Sequence, residues 1–473
     1  MTGKNDVSYN SVMSRKNEIM KQAVGLDYDQ FEETGLAFDY EAMMAKAGYS
    51  LDEVIDIQFE TCVGRTPLVE MKNISALARL SAQPGKGARI FIKDEACNPS
   101  GSFKARRAAV SCYQAQKYGY KGVIAATSGN YGAAVASQAA MRGLKCIIVQ
   151  ELFDSRGLCQ PEIMEKGRAC EAYGAEVVQL SVGPELFYQF LVLLEETGYF
   201  NASLYTPFGI AGIETLGFEV AEQVRATAKR DPAAVLITHA GGGNVTGTAR
   251  GLIKAGCDST AVIGASVDLS GLHMASDRDF NRKSFTTGHT GFGVPFTTWP
   301  DRVDVPRNAA RPLRYLDRYV TVTQGEVFYM TELLAQLEGL ERGPAGNTSL
   351  AAAFAIAREY NRDEIIVVQE TEYTGAGKHP APQLTFARSQ GITVRRGDPL
   401  DNKPGETIVV PQSHDQIAVQ EVELSGLKRS YLKRAKMEKD KSGSDLAPLE
   451  KDYLAAEIRG TVNEVEKYFQ EGQ

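Results

Sequence analysis

Residues 93–108 read KDEACNPSGSFKARRA. The front of this stretch closes an apolar, strand-like run, ARIFIKDE (88–95), and from Phe103 onward the residues favour helix. Between the two sit Asn98, Pro99, Ser100, Gly101 and Ser102, which are turn formers. One amine, Lys104, stands where the turn becomes helix, and Arg106 and Arg107 follow it as helix-face charges. A strand, a tight Ser-Gly turn and a helix make half of a βα unit. The fold then depends on whether the chain keeps that rhythm.

It does, in both directions. Upstream, TPLVEM (66–71) is strand-like. Downstream come a GVIAAT strand, a helix from Asn130, a KCIIVQ strand, a helix from about Pro161 and an AEVVQL strand. Helical stretches at 184–197 and near 212–229 lead to AAVLITHAGGGN, which opens a second series. That series holds a helix at about 246–256, the strand TAVIGASV, helices at 325–338 and 348–360, and the strand EIIVVQE. Short apolar runs alternating with helices predict an α/β fold built on buried parallel sheets.

The predicted organisation is a helical cap at 1–60, a large α/β domain from 61–120 and 211–407, and a smaller α/β domain at 121–210. A charged helical extension at 408–473 reads as an appendage for assembly. Residues 275–320 break the rhythm. Their TTGHTGFGVPFTTWP run is loop-like, either lining a pocket or forming a surface insertion. No internal repeat is present.

Composition narrows the function classes. The 473 residues are 43% hydrophobic and 23% charged, which suits a folded multidomain chain. With 52 Lys and Arg against 59 Asp and Glu, the net charge is −7 and no basic stripe suggests nucleic acid. KRSYLKRAKMEKDK (428–441) reads as a solvated helix face. No run approaches the roughly 18 apolar residues of a membrane span, and the first residues lack a signal-peptide core. Seven scattered cysteines without a CxxC predict reduced thiols, and five histidines without HExxH spacing predict no zinc site. The expected location is the cytoplasm.

Glycine-rich turns mark the chemistry. Besides the lysine turn, ATSGNYG (126–132) follows one strand and HAGGGNVTG (239–247) follows another. Such turns at strand ends present backbone N–H groups to an anion. Neither is a dinucleotide GxGxxG with its acidic ribose ligand, nor a P-loop. A lysine beside a phosphate cup suits a Schiff base with a phosphorylated aldehyde cofactor, pyridoxal phosphate.

On these residues the chain resembles the fold-type II pyridoxal phosphate enzymes, the tryptophan synthase β and threonine synthase group, from about residue 60 to 385. The resemblance implies that Lys104 carries the cofactor. It implies that Thr127, Ser128 and Gly129 take the substrate carboxylate, that Asn130 bonds the ring hydroxyl, and that Gly241, Gly242, Gly243 and Asn244 form the phosphate cup. Asn244 departs from the Thr or small residue common there. In VVQETEYTG the pyridine nitrogen would face Thr371, with Glu370 beside it as the alternative.

The long cap, the QETEYTGAGKHP loop and the helical tail resemble a narrower branch, the β subunits of 2-amino-4-oxopentanoate thiolases. That resemblance implies cleavage of 2-amino-4-oxopentanoate with coenzyme A to acetyl-CoA and D-alanine in ornithine degradation. It also implies a small α subunit as partner, in a hetero-oligomer with a β–β dimer. Lys104 is then the base for the α proton, and His239, His289 and His379 are candidates for steadying the C4 oxyanion. No nucleotide motif locates coenzyme A, which leaves the α subunit or the insertion around 285–300. Cys97 and Cys159 fall in loops, without a context that marks an acyl carrier. A β-eliminating or β/γ-replacing lyase or synthase, like diaminopropionate ammonia-lyase or threonine synthase, would use the same lysine and loops without coenzyme A.

Overall fold

A computed structural model of the chain describes residues 6–127, 129–153, 159, 161–181, 185–269, 304–373, 375 and 379–470. The apolar runs assemble into separate sheets. Among the described residues the largest sheet has seven strands, in the order Gln420–Glu421, Arg318–Val322, Ala261–Val267, Ala234–Thr238, Ile365–Glu370, Arg89–Asp94 and Leu68–Glu70. The five inner strands run parallel. Both edge strands run antiparallel.

The expected parallel arrangement holds in the interior for a physical reason. Every residue of Ile365–Glu370 is buried, as a strand with helices on both faces must be. Parallel neighbours need crossover helices that supply this cover. An edge strand such as Leu68–Glu70, none of whose residues is buried, has no such requirement. A second sheet carries Glu176–Ser181, Lys145–Phe153, Gly122–Thr127 and Phe200–Asn201 in that order, all parallel.

One crossover helix is longer than its periodicity predicts. It runs Pro207–Ala228, starting five residues earlier than the expected 212. Thr206 explains the start: its side chain accepts from the Gly209 N–H at 3.2 Å, and Pro207 sits where a helix needs no donor.

The two ends of the chain fold onto the α/β body. Met20 and Val24 lie in the N-terminal helix Lys16–Val24, and Met20 joins Phe190 and Leu191 of the helix Glu185–Thr197 in one apolar cluster. The tail is not helical from 408 as expected. Thr407–Pro411 is a strand parallel to Thr393–Gly397, and its IVV core is buried. Helix begins only at Leu424. There Leu427, Tyr431, Leu432 and Leu454 bury themselves with Leu36 from the N-terminal region and Leu313. Among the described residues no helix is long and apolar enough to cross a membrane.

Candidate active site

Parallel sheets deliver their loops at the C-terminal ends of the strands, and the predicted site residues sit at four such ends. The lysine segment follows Arg89–Asp94. Ser100 and Gly101 turn the chain with left-handed φ of 63° and 70°. Ser102 then bridges to Glu372, the Phe103 N–H donates to Thr371 O at 3.1 Å, and the Tyr373 N–H donates to Gly101 O at 3.0 Å. The flanks of the lysine are thereby laced to the segment leaving Ile365–Glu370. A Cβ at Gly101 would collide with the Tyr373 ring, so only glycine allows this approach. Half-buried Lys104 opens the helix Ala105–Lys117, with Nζ 5.8 Å from the Phe103 ring centroid.

Arg106 and Arg107 are not surface charges. Both are buried, and Arg106 is wholly inaccessible. Arg106 grips Glu95 through Nε and Nη2 at 2.7 and 2.8 Å and Glu219 through Nη1 and Nη2 at 2.9 and 2.8 Å. Lys93 Nζ joins the same Glu219 at 2.7 Å. Burial pushes the Glu219 carboxyl up, but Arg106 and Lys93 outweigh it and hold the group down at about 2. This network ties the first turn of the lysine helix to the strand end at 93–95 and to the helix Pro207–Ala228. Sequence reading missed it because the partners of Arg106 lie 11 and 113 residues away.

The second loop leaves Gly122–Thr127. Thr127 Oγ1 accepts from the Gly129 N–H at 3.1 Å, which shapes the turn into the helix Asn130–Met141. Ser128 lies outside the described residues. Asn130 is buried; its Nδ2 donates to the Glu372 carboxylate and its Oδ1 has no partner. The structure thus brings Asn130 to the strand end that meets the lysine segment.

The third loop is the glycine cup. It follows Ala234–Thr238 and opens the helix Gly243–Lys254, with Gly242 left-handed at φ 84°. Side chains on Gly241, Gly242 and Gly243 would meet Tyr205, Pro312 and Arg107, so the cup is closely packed, and Gly242 needs glycine for its backbone as well. Asn244 is buried, and its Nδ2 has no partner.

At the fourth end, Thr371 and Glu370 behave differently. Thr371 touches the lysine segment through its carbonyl, whereas the Glu370 carboxyl lies where a Cβ on Gly346 would go. Glu370 is fully buried and neither oxygen has a partner. Burial first, then Glu372 and Asp94, push its pKa well above the usual range against the pull of Arg342. The ionised form of Glu370 is thereby disfavoured.

The histidine and cysteine candidates separate by environment. His239 is buried at the end of Ala234–Thr238, 5.3 Å from Tyr319 edge to face, with neither ring nitrogen partnered. Burial lowers it to about 4, so the ring is neutral. His379 is exposed and caps the helix Pro380–Ser389, its Nδ1 accepting from the Ala381 N–H at 3.3 Å. His289 and the 285–300 run lie outside the described residues. The Cys97 thiol donates to Asp94 Oδ2 at 3.3 Å, and burial followed by Asp94 raises its pKa, the reverse of an activated thiol. Cys159 is half-buried and reduced.

These loops suit a phosphorylated pyridine aldehyde. Ser100 Oγ, Ser102 Oγ, Arg107 Nε, Asn130 Oδ1 and Asn244 Nδ2 are all buried without a partner, and all belong to the lysine, asparagine and cup segments. A folded chain rarely leaves such groups unsatisfied unless a ligand completes them. The helix N-terminus at Gly243 adds a partial positive charge for a phosphate. Among the described residues no cluster of His, Cys, Asp and Glu could hold a metal ion.

Comparison with known proteins agrees with this chemistry. Residues 59–372 match the family described as pyridoxal-phosphate dependent enzyme. A 2-amino-4-ketopentanoate thiolase β subunit from an unknown prokaryotic organism is 71% identical over 430 residues, 91% of each chain. A protein of the same name from Acetoanaerobium sticklandii is 68% identical, covering 91% of this chain and 92% of its own. Among solved structures, a T.th. threonine deaminase aligns with a TM-score of 0.51 at 26% identity, over 68% of this chain and 98% of its own.

Proposed function

Because the chain belongs to the pyridoxal-phosphate dependent enzyme family, we propose that it works as the β subunit of a 2-amino-4-ketopentanoate (2-amino-4-oxopentanoate) thiolase. The observation that carries this reading is identity of 68–71% across about nine-tenths of the chain to proteins of that name. The reaction joins 2-amino-4-oxopentanoate and coenzyme A. The thiol sulfur bonds to C4, the C3–C4 bond breaks, its electron pair stays with C3, and C3 gains a proton. Acetyl-CoA and alanine, in the D form, leave.

Bound pyridoxal phosphate supplies an electron sink conjugated to the substrate Cα. The chain's own residues do the rest. Lys104 Nζ would hold the cofactor aldehyde, and the same amine would take the proton from the substrate Cα. Thr127 and Gly129, with Ser128, receive the substrate carboxylate. Asn130 bonds the ring hydroxyl, a role its unpartnered Oδ1 and its place beside Glu372 support. Gly241, Gly242, Gly243 and Asn244 cradle the phosphate. Thr371 offers the pyridine nitrogen a neutral hydroxyl, while the Glu370 carboxyl packs against Gly346. Of the three histidine candidates, His239 is the described one left for the C4 oxygen, which a neutral ring could serve as donor, since His379 caps a helix.

Residues 61–120 and 211–407 are read as the cofactor domain, and 121–210 as the smaller domain. A small α subunit completes the enzyme, and two β chains pair in the assembly. The deciding experiment mixes the chain, its co-purified partner, pyridoxal phosphate, coenzyme A and 2-amino-4-oxopentanoate. Mass spectrometry should find acetyl-CoA and alanine in equal amounts. Turnover of diaminopropionate or phosphohomoserine without coenzyme A, and none of the thiolysis, would assign the chain to the eliminating or replacing lyases instead.

A further inference from the structure

Arg107 sits one turn beyond Lys104 in the same helix, on the same face. It is 3% exposed, yet no carboxylate among the described residues pairs with it. Its one side-chain bond runs from Nη1 to the Leu204 carbonyl at 3.0 Å, and Nε has no partner. The contrast with neighbouring Arg106, which is enclosed by two carboxylates, is complete.

The direction of the side chain explains the difference. A Cβ built on Gly243 would lie 2.7 Å from Arg107 Nη2 and 2.8 Å from Nη1, so the guanidinium rests against the first residue of the cup helix. Asn244, next in that helix, points an unpartnered Nδ2 from the same turn. The Arg107 Cζ and the Lys104 Nζ lie 5.7 and 5.8 Å from the centroid of the same Phe103 ring. A guanidinium stays charged in a protein, and a buried charge needs a counter-ion. Every feature of the cup offers positive potential or a donor, and the described residues around it offer no anion.

We propose that Arg107 is a cofactor-binding residue whose guanidinium flanks the glycine cup and bonds the phosphate monoester of pyridoxal phosphate. This rests on the cofactor reading above. The planar fork suits a phosphate, contributing two donors where a backbone cup contributes its N–H groups. Arg107 thus supplies the full charge that glycine amides and a helix end supply only in part.

The test separates phosphate from ring. Pyridoxal phosphate and pyridoxal, which lacks the phosphate, are titrated by absorbance into the cofactor-free full chain and into Arg107→Gln. The variant should bind pyridoxal phosphate about ten- to a hundredfold more weakly, the worth of a charged hydrogen bond, and bind pyridoxal unchanged. Inorganic phosphate should raise the melting temperature of the cofactor-free wild type and not that of the variant. Equal affinity for pyridoxal phosphate in variant and wild type overturns the assignment, and so does equal weakening of both ligands. If Arg107→Gln does not fold, Arg107→Lys carries the same comparison, since it keeps the charge and loses the fork. A wild type that binds neither ligand would instead sink the cofactor reading itself, so the two failures are distinct.

Discussion

Arg106 and Glu95 form a two-point ion pair, Nε to Oε2 at 2.7 Å and Nη2 to Oε1 at 2.8 Å, with neither side chain reached by solvent. Arg106 lies two residues past Lys104, and the pair joins that helix to the preceding strand end. Breaking one side of a buried pair leaves an uncompensated charge. Glu95→Gln should therefore cost about 3 kcal/mol of stability in urea unfolding, with Glu219 limiting the loss. A cost below about 1 kcal/mol would mean the pair does not hold this turn in place.

Acid should expose the same network. Glu219 is held at about 2, below its ordinary 4.5, so the unfolded chain takes up the proton first as pH falls. The stability it contributes is complete above about 4.5 and disappears between there and about 2. Glu219→Gln should lose that stability at neutral pH and flatten this acid limb. An unchanged limb in the variant would contradict the assignment.

Much of this architecture can be read from the residues, and the gaps have physical causes. Buried strands such as Ile365–Glu370 announce themselves as unbroken apolar runs, and the turn into the Lys104 helix by its Ser-Gly pair. Arg106 and Arg107 do not, because local sequence marks any charge as a surface charge. Only tertiary contact reveals carboxylates at Glu95 and Glu219, or a glycine at Gly243. The spacing of Lys104 and Arg107 is the one local hint, since it puts both on one face. The Thr407–Pro411 strand hides inside a charged tail, although its IVV core carries the signal. The early start of the helix at Pro207 was marked by Thr206 and Pro207 together.

Lys104→Ala tests the amine directly. The lysine is half-buried at the start of its helix, so its truncation should leave the fold intact. The variant should lack the visible absorption of lysine-bound cofactor and resist fixation by borohydride. Thiolysis should fall by at least about 10²-fold, the usual worth of a positioned base. Unchanged absorption and fixation would move the Schiff base to another lysine.

Gly101→Ala should report on the joint between the lysine segment and Tyr373. The position has φ 70°, and a methyl there would collide with the ring. Left-handed backbone alone costs an alanine about 1–2 kcal/mol, and the collision adds to it. The Tyr373 N–H bond to Gly101 O should loosen, weakening cofactor binding as well as stability. Tyr373→Ala removes the ring, so the double variant should lose less than the two single losses combined. Strict additivity would show that the contact does not couple the segments.

His239 gives the second acid-sensitive group, in a different window from Glu219. Burial depresses it from 6.5 to about 4, so the folded chain keeps it neutral while the unfolded chain charges it. Its stability contribution is complete above about 6.5 and is lost as pH falls to about 4. The full loss is about 3 kcal/mol, from the depression at about 1.4 kcal/mol for each tenfold change in proton affinity. His239→Gln cannot charge, so its stability should stay level between those pH values while the wild type declines. The Glu219 limb, at lower pH, should persist in that variant. Thermal melts at half-unit pH steps would resolve the two limbs, and a His239→Gln chain that declines as the wild type does would show that another group titrates there.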